Sequence, residues 1–533
     1  MKLVTASAMR EADRTTMKDL GFPGIALMEN AGMRVTEAIM SIDPLPRRVV
    51  ILVGPGNNGG DGLVVARHLD RLGFQLSVWS TAPKESYSGD PGINLNFLEK
   101  KGLYVKHIQD HVQLGMVEED IHRADLVVDA LLGTGIGRPV EGMIASLIGV
   151  LNSSWIPVLS VDIPSGIDAD TGEVRGNAVR AWWTITFAYP KRGLMLYPGA
   201  DHAGWVSVAE IDIPPEALPP EGLEVITPAR IYRLLPDRPG NAHKGTFGKI
   251  MIVAGSPGMT GAAALAGEAA LRGGGGLVYV ATSQRLRQIL EAKTLEVITM
   301  DLPETGKGEI SDDAANIILQ KAANCHVLAV GPGMTPGEET YRLLEELIPD
   351  CPVPMILDAG ALGALARGPE ILLKARAPVI ITPHPGEMSR LTGLQLAEVE
   401  RDRFALPAKI ARSWKTVVVM KGAPTVISFP NGLSYVNPTG GPALATAGTG
   451  DVLTGLIAGL VGQGLPVEEA ALCGAFIHGV AGDLAASEGR GIKAGDVLLH
   501  FPATFKTLES RGWESSIFGP FHRDLRPRFR RDS

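Results

Sequence analysis

The chain has 533 residues, enough for two to four domains that each bury a core. Its 64 glycines and 38 prolines stay below low-complexity levels, and 45% hydrophobic with 20% charged residues excludes a disordered or collagen-like chain. A net charge of −8, from 50 basic and 58 acidic side chains, argues against a general nucleic-acid or membrane-surface binder.

The first segment, MKLVTASAMREADRTT, is too polar for a signal peptide. Short Val/Ile-rich runs then alternate with longer helical patterns, which predicts α/β layering around mostly parallel sheets. Strands are expected at Arg48–Val53, Gln75–Ser80, Leu126–Ala130, Val158–Ile163 and Thr184–Ala188. Runs such as VVILV suit strands covered on both faces. Between Ile211 and Pro239 the alternation stops and seven prolines accumulate, a linker composition. It resumes at Lys249–Val253, Leu277–Ala281, Val327–Val330, Met355–Asp358, Val379–Thr382 and Thr416–Met420. Two α/β domains are therefore expected, residues 1–222 and 223–510, followed by an Arg-rich, disordered tail at 511–533. The apolar stretch Leu453–Leu465 is too short and too broken to span a membrane. Cys325, Cys351 and Cys473 form neither a CxxC nor a zinc spacing and read as buried thiols in a reducing, cytoplasmic setting.

In the first domain, VVILVGPGNNGGDGLVVARHL reads as a strand, a tight loop and a helix. Glycines at 54, 56, 59, 60 and 62 would let backbone N–H groups approach an anion at the helix start. The string contains GxGxxG, yet the next strand ends in WSTAPK without the acid that a nicotinamide dehydrogenase places there. A phosphate cradle of another type is favoured, with a structural turn as the alternative. Two later strands end in aspartate, Asp129 in LVVDALLGTGIGRP and Asp162 in VLSVDIPSGID. Such acids lie where open α/β sheets bind ligands, and serve as acid, base or cation ligand, or else cap a turn. With the Asn58 amide and the Ser165 hydroxyl, Asp129 makes an all-oxygen set suited to a hard monovalent cation.

LMENAG, GNNGGDG, VDALLGTGIGRP and VDIPSGID together resemble the NAD(P)HX epimerases, which interconvert the R and S forms of hydrated NADH and NADPH. The resemblance spans residues 1–215 and implies a Rossmann-like domain. It implies substrate contacts at Asn57, Asn58, Gly59, Gly60 and Asp61, at Gly133, Thr134, Gly135, Ile136, Gly137, Arg138 and Pro139, and at Asp162, which is also the catalytic candidate. It further implies potassium on Asn58, Asp129 and Ser165. Pro55 departs from the small polar residue usual in that loop.

The strongest feature of the second domain is NPTGGPALATAGTGDVLTGLIAGLVGQGL. Its glycines lead into a helix whose free N–H groups would form an anion hole beside Asp451. Asp451 is a candidate base for a hydroxyl attacking a nucleotide phosphate, or simply an N-cap. No GxxxxGK[ST] occurs, so a P-loop is excluded. His384 and Glu387 are three apart, not a zinc signature, and His384 reads equally as a turn residue or a ligand contact.

HKGTFGKIMIVAGS, TPHPGEMSRL, KGAPT and AGTGDVLTGLIAGL look like the ADP-dependent NAD(P)HX dehydratases, of ribokinase-like fold, across residues 225–505. This implies removal of water from the S hydrate with ADP, giving NAD(P)H, AMP and phosphate. It implies hydrate contacts at Gly333, His384, Pro385, Gly386, Glu387, Met388, Ser389 and Arg390, with Asp451 as catalytic base. ADP would be held by Lys421, Gly422, Ala423, Pro424 and Thr425, and by Gly441, Pro442, Ala443, Leu444, Ala445, Thr446, Ala447, Gly448, Thr449 and Gly450. Magnesium is expected on the phosphates from phosphoryl-transfer chemistry.

The two resemblances fit a bifunctional repair enzyme for NADHX and NADPHX, built from two three-layer α/β/α domains and expected as a homo-oligomer. Two rivals remain: a small-alcohol (vitamin or sugar) kinase using the same anion hole, and a non-catalytic nucleotide-binding first half.

Overall fold

The computed structural model describes residues 1–220 and 222–510; the Arg-rich segment 511–533 lies outside the described residues. The chain divides into two compact units, with the break between residues 221 and 222.

The first unit is built on seven strands: β1 (Arg48–Val53), β2 (Gln75–Ser80), β3 (Val105–His107), β4 (Leu126–Ala130), β5 (Val158–Val161), β6 (Trp183–Phe187) and β7 (Trp205–Ala209). They form one sheet in the order β3-β2-β1-β4-β5-β6-β7, with every pairing parallel. Alternate residues of β1 enter different cores. Val49, Ile51 and Val53 pack on one face, and Val50 and Leu52 on the other. Both faces are thus covered by helices, which is why this strand reads as a continuous apolar run. The order reverses between β1 and β4, and a crevice opens there at the strands' carboxyl ends.

The second unit carries β8 (Leu223–Val225), β9 (Lys249–Val253), β10 (Leu277–Ser283), β11 (Ile298–Leu302), β12 (Val327–Val330), β13 (Met355–Leu357), β14 (Val379–Ile381), β15 (Val417–Met420), β16 (Thr425–Ser428) and β17 (Ser434–Asn437). Their order is β11-β10-β9-β12-β13-β14-β15-β16-β17-β8. Pairing is parallel from β11 to β15, antiparallel through β16 and β17, and parallel again at β8. Ile250 and Ile252 of β9 face one core, Met251 and Val253 the other, so this unit is also three-layered.

Three expectations need correction. The proline-rich stretch is not all linker: β8 and the helix Pro228–Leu234 lie in it, and β8 completes the edge of the second sheet beside β17. Strands β3, β7, β11, β16 and β17 went unpredicted because they are short or border the sheets, where burial writes a weaker pattern. Finally, the helix Val467–Ser487 is long and apolar enough to cross a membrane, although no such segment was expected. Its most apolar window is 78% buried, and residues such as Phe476 and Ile477 pack in the second unit's core.

Helix Thr449–Gly462, which carries Asp451, presses against helix Thr260–Arg272 through small residues. A Cβ added at Gly455 would stand 2.1 Å from the Ala266 carbonyl oxygen, and one at Gly459 2.5 Å from that of Ala270. Much of the glycine excess is of this kind and serves close approach of backbones.

Candidate functional site

In the first unit, a cavity of roughly 1010 Å³ opens at the crevice between β1 and β4. The loop after β1 runs into helix Asn57–Arg71, whose N-cap is Gly56. Asn57, Asn58 and Asp61 line the cavity, as does the stretch from Gly133 to Pro139 after β4. Gly59 and Gly60 turn inward. A Cβ at Gly59 would lie 1.8 Å from the Gly54 carbonyl oxygen, so Gly59 lets the helix start close on the strand end. The N–H groups of Asn57, Asn58 and Gly59 make no hydrogen bond among the described residues, as expected of a first helical turn.

Asp162 follows β5 and reaches the same cavity with φ +63°. A left-handed backbone at a non-glycine residue costs on the order of 1–3 kcal/mol and clusters at functional positions. Its Oδ1 accepts from Lys191 Nζ, from Thr186 Oγ1 at 3.1 Å and from the Phe187 N–H at 3.2 Å. Lys191 is 1% exposed and donates also to Thr186 Oγ1 and the Phe187 carbonyl. Asp61 and Asp13 share the cavity. Burial raises the Asp61 carboxyl well above the usual carboxylate range, and the nearby Asp162 and Asp13 add to the shift. Burial likewise pushes Asp13 up to about 6, with Lys191 opposing and Asp162 assisting.

Behind the cavity wall, Asp129 is fully buried and accepts four hydrogen bonds, from Ser160 Oγ, Ser165 Oγ and the Ser165 and Leu131 N–H groups. Burial still raises its carboxyl. The chain of contacts continues from Ser165 Oγ to the Leu132 N–H at 2.9 Å and from the Leu132 carbonyl to Asn58 Nδ2 at 2.9 Å. Asn58, Asp129 and Ser165 are therefore brought together. The Asn58 Oδ1 is buried without a partner among the described residues.

In the second unit, Gly448 caps helix Thr449–Gly462 with φ +92°, so Asp451 is the third residue of the helix and not its N-cap. The N–H groups of Thr449, Gly450 and Asp451 have no hydrogen-bond acceptor among the described residues. Thr449 Oγ1 ties the loop by donating to the Leu444 and Thr446 carbonyls. Beneath the helix start lies a part-buried pair, Asp358 Oδ1 to Lys421 Nζ at 2.8 Å. Asp358 also accepts from Thr382 Oγ1 at 2.7 Å and from Thr454 Oγ1 at 2.9 Å, and Glu387 Oε2 lies 3.8 Å from Lys421 Nζ. A Cβ at Gly450 would stand 3.3 Å from that ammonium, a tight contact, so the helix start sits directly over it. Burial opposes the Lys421 charge, but Asp358 and Glu387 outweigh it and hold the ammonium above its usual value. Asp451 has no hydrogen bond or ion pair among the described residues, and burial with the Asp358 charge pushes it up to about 7.

His384 turns out to be the N-cap of helix Pro385–Thr392, with Nδ1 accepting from the Gly386 and Glu387 N–H groups. Its ring remains exposed on one side. Glu387 returns a bond to the His384 N–H and is raised by burial. Met388 is a correction: its side chain is fully buried in the core, leaving only its backbone for a ligand. Ser389 Oγ is engaged by the Leu394 carbonyl, whereas Arg390 is exposed. Gly333 follows β12 with φ +65°, its carbonyl accepting from Ser256 Oγ. The loop Lys421–Thr425 is held by Arg403, which is 7% exposed and donates to the Lys421 and Pro424 carbonyls.

Asp13, Lys191, Asp358 and Arg403 were not foreseen. Asp358 ends a predicted strand, the same signal that picked out Asp129 and Asp162. Lys191 sits three residues after another. Asp13 lies in a helix and Arg403 in the turn between two helices, neither with a local mark.

A family described as YjeF-related protein N-terminus matches residues 24–193, and the NAD(P)H-hydrate dehydratase family matches residues 250–498. The bifunctional NAD(P)H-hydrate repair enzyme Nnr of Moorella thermoacetica is 44% identical over 516 residues, which cover 96% of this chain and 97% of that protein. The enzyme of the same name from Thermofilum pendens is 41% identical over 488 residues, covering 92% and 93%. A crystal structure of the ADP/ATP-dependent NAD(P)H-hydrate dehydratase from Bacillus subtilis, co-crystallised with ATP/Mg2+, is 32% identical with a TM-score of 0.46, covering 54% of this chain and 99% of that one. The chain thus belongs to the bifunctional NAD(P)H-hydrate repair enzymes, with an epimerase half and a dehydratase half.

Proposed function

We propose that R and S hydrates of NADH and NADPH interconvert in the first-unit cavity, and that the S hydrate loses water beside Asp451 at the expense of ADP. The observation that carries the second assignment is the unpaired Asp451 carboxyl, pushed to about 7 next to three free helix N–H groups. A base of that strength accepts a proton from the C6 hydroxyl at neutral pH. The hydroxyl oxygen then attacks the terminal phosphorus of ADP and AMP leaves. The N–H groups of Thr449, Gly450 and Asp451 receive the charge that develops on the phosphoryl oxygens. In the second step the C6–O bond of the phosphorylated hydrate breaks with electron release from N1, C5 gives up a proton, and phosphate departs. Lys421, resting on Asp358, adds fixed positive charge below the helix start. The Gly441–Gly448 segment and the Lys421–Thr425 loop are the nucleotide's proposed holders.

In the first unit, the helix start at Asn57 and the loop from Gly133 to Pro139 suit a pyrophosphate and its ribose at a sheet's switch point. Asn58, Asp129 and Ser165 fit a potassium ion. The donors are all oxygen, one is a buried carboxylate without a cationic side-chain partner, and the Asn58 oxygen is orphaned. Its chemistry would be to fix the loops that carry Asn57 and Gly133. Magnesium fits only as a companion of the nucleotide's phosphates, since the described residues contain no cluster of three or more His, Cys, Asp or Glu suited to a metal. Three free, buried cysteines support a reducing, cytoplasmic setting. The homo-oligomer is kept as part of this reading, to be read by light scattering.

The experiment is one assay on a mixture of R and S hydrates, with and without ADP. Complete conversion to reduced dinucleotide requires both activities and ADP. Conversion of the S fraction alone would remove the first assignment. No conversion, with phosphorylation of a stable alcohol by ATP, would favour the kinase.

A further inference from the structure

The floor of the first-unit cavity carries more proton-exchanging groups than holding a dinucleotide requires. Asp162 directs all its hydrogen bonds to one oxygen, Oδ1, through Lys191, Thr186 and the Phe187 N–H. Its Oδ2 takes no donor among the described residues. Asp13 approaches from helix Ala6–Arg14, lines the same cavity and is partly buried. Its carboxyl makes no hydrogen bond or ion pair among the described residues. A carboxyl withdrawn from water without a protein partner is costly unless its partner is a ligand or a proton.

We propose that Asp13 is a catalytic residue of the epimerase half, the second member of an acid–base pair with Asp162 that opens and recloses the hydrate ring at C6. This rests on seating the exchange in this cavity. The C6 of the hydrate bears a hydroxyl and is bonded to N1, so it is a hemiaminal carbon. In the opening step the hydroxyl proton passes to Asp162 Oδ2 and the O–H electron pair forms the C6=O bond. The C6–N1 bond breaks, its electron pair stays on nitrogen, and N1 takes the proton of Asp13. The open form is an aldehyde. Rotation about C5–C6 presents its other face to N1, which attacks C6 while its proton returns to Asp13 and the oxygen regains a proton from Asp162. Both carboxyls end as they began, no atom is gained or lost, and C6 is inverted.

The geometry separates the two roles. Lys191 is paired with Asp162 Oδ1, which leaves Oδ2 as the oxygen open to accept a proton. Asp13 makes no ion pair among the described residues, and burial outweighs the Lys191 charge to push it up to about 6, toward the form that donates one. The other charged groups at the cavity are Arg10 on the same helix as Asp13, Asp61, Asp90, Arg138 and Glu141.

The test uses the full-length enzyme and purified R hydrate without ADP, with S hydrate followed chromatographically and the enzyme-free rate subtracted. Asp13→Asn is expected to lower kcat for exchange about 10²–10⁴-fold with KM almost unchanged. It should also abolish the decline of kcat expected of the unsubstituted enzyme as the pH rises above about 6. Asp13→Glu should recover part of the rate. Dehydration of pure S hydrate with ADP should stay normal in each variant, as a check on the chain. Exchange by Asp13→Asn at the unsubstituted rate overturns the proposal, as does a loss confined to KM or an unaltered pH profile. Should Asp13→Asn fail to fold, the pH profile of the unsubstituted enzyme decides: no decline above about 6 overturns the proposal. Asp162→Asn separates the two levels of the reading. If it exchanges normally, the cavity is not the seat of exchange; if it is inactive while Asp13→Asn is active, only the pairing fails.

Discussion

Both units place one lysine among carboxylates at the carboxyl ends of parallel strands, buried in the first and half-buried in the second, and they use it in opposite ways. In the first unit Lys191 grips Asp162, one of the two carboxyls we assign to the chemistry, while Asp13 and Asp61 feel its charge but make no ion pair among the described residues. In the second unit Lys421 grips Asp358, which is 1% exposed behind the site, and the acting Asp451 is the group left unpaired. A lysine set among carboxylates therefore yields a paired base in one unit and a strengthened, solitary base in the other. Proton transfer from an alcohol attacking phosphorus favours a base whose strength lies near the working pH, and an unpaired, buried carboxyl provides it.

The largest effects that could break this comparison are two single substitutions. Asp451→Asn is expected to reduce dehydration of S hydrate by about 10²–10⁴-fold, with ADP affinity and R/S exchange retained. Asp162→Asn should do the converse, losing exchange while S hydrate is still consumed. Steady-state rates on each purified epimer, with calorimetric binding of ADP, distinguish the two; a variant that damages both reactions equally would mean that the sites are not separate.

The pH profiles should run in opposite directions. Asp451 must be ionised to act, so dehydration falls as the pH drops below about 7. Asp13 must be protonated to act, so exchange falls as the pH rises above about 6. The Asp451 shift also has a consequence for stability. A carboxyl raised on folding contributes full stability below its unfolded pKa, and that stability is lost as the pH rises through about 7. Asp451→Asn should therefore raise the melting temperature of the second unit above pH 7 more than at acid pH. A thermal melt series that shows no such pH dependence would argue that the carboxyl is solvated.

Smaller effects test the supports. Exchanging potassium for lithium is expected to slow exchange and leave dehydration unaffected, and Asn58→Ala should remove that ion dependence. Gly455→Ala pushes a methyl against the Ala266 carbonyl and should cost about 1–3 kcal/mol in a denaturant titration. Its damage to dehydration should be indirect, through a displaced Asp451.

The central strands of both sheets were legible because burial on two faces writes long Val/Ile runs between glycine-rich loops. Asp129, Asp162 and Asp451 were legible because each stands at a strand end or helix start beside such loops. Lys191, Asp13 and Arg403 were not singled out, since a single charged residue in a helix, in a turn or after a strand has the same local appearance whether it is solvated or buried; Asp358 carries the same strand-end signal as Asp129 and Asp162. The glycines illustrate the limit from the other side. Those at 59, 455 and 459 serve close backbone packing, and only the distances to the Gly54, Ala266 and Ala270 carbonyls reveal it.

By itself, then, the chain's sequence determined the α/β layering, the motifs of both halves and the acids at the strand ends, because these depend on local pattern. Tertiary structure alone decided which carboxyl is paired with a lysine and which is left bare. Burial and charge pairing are set by residues as distant as Asp358 and Lys421, or Asp13 and Asp162, and no local window contains both members.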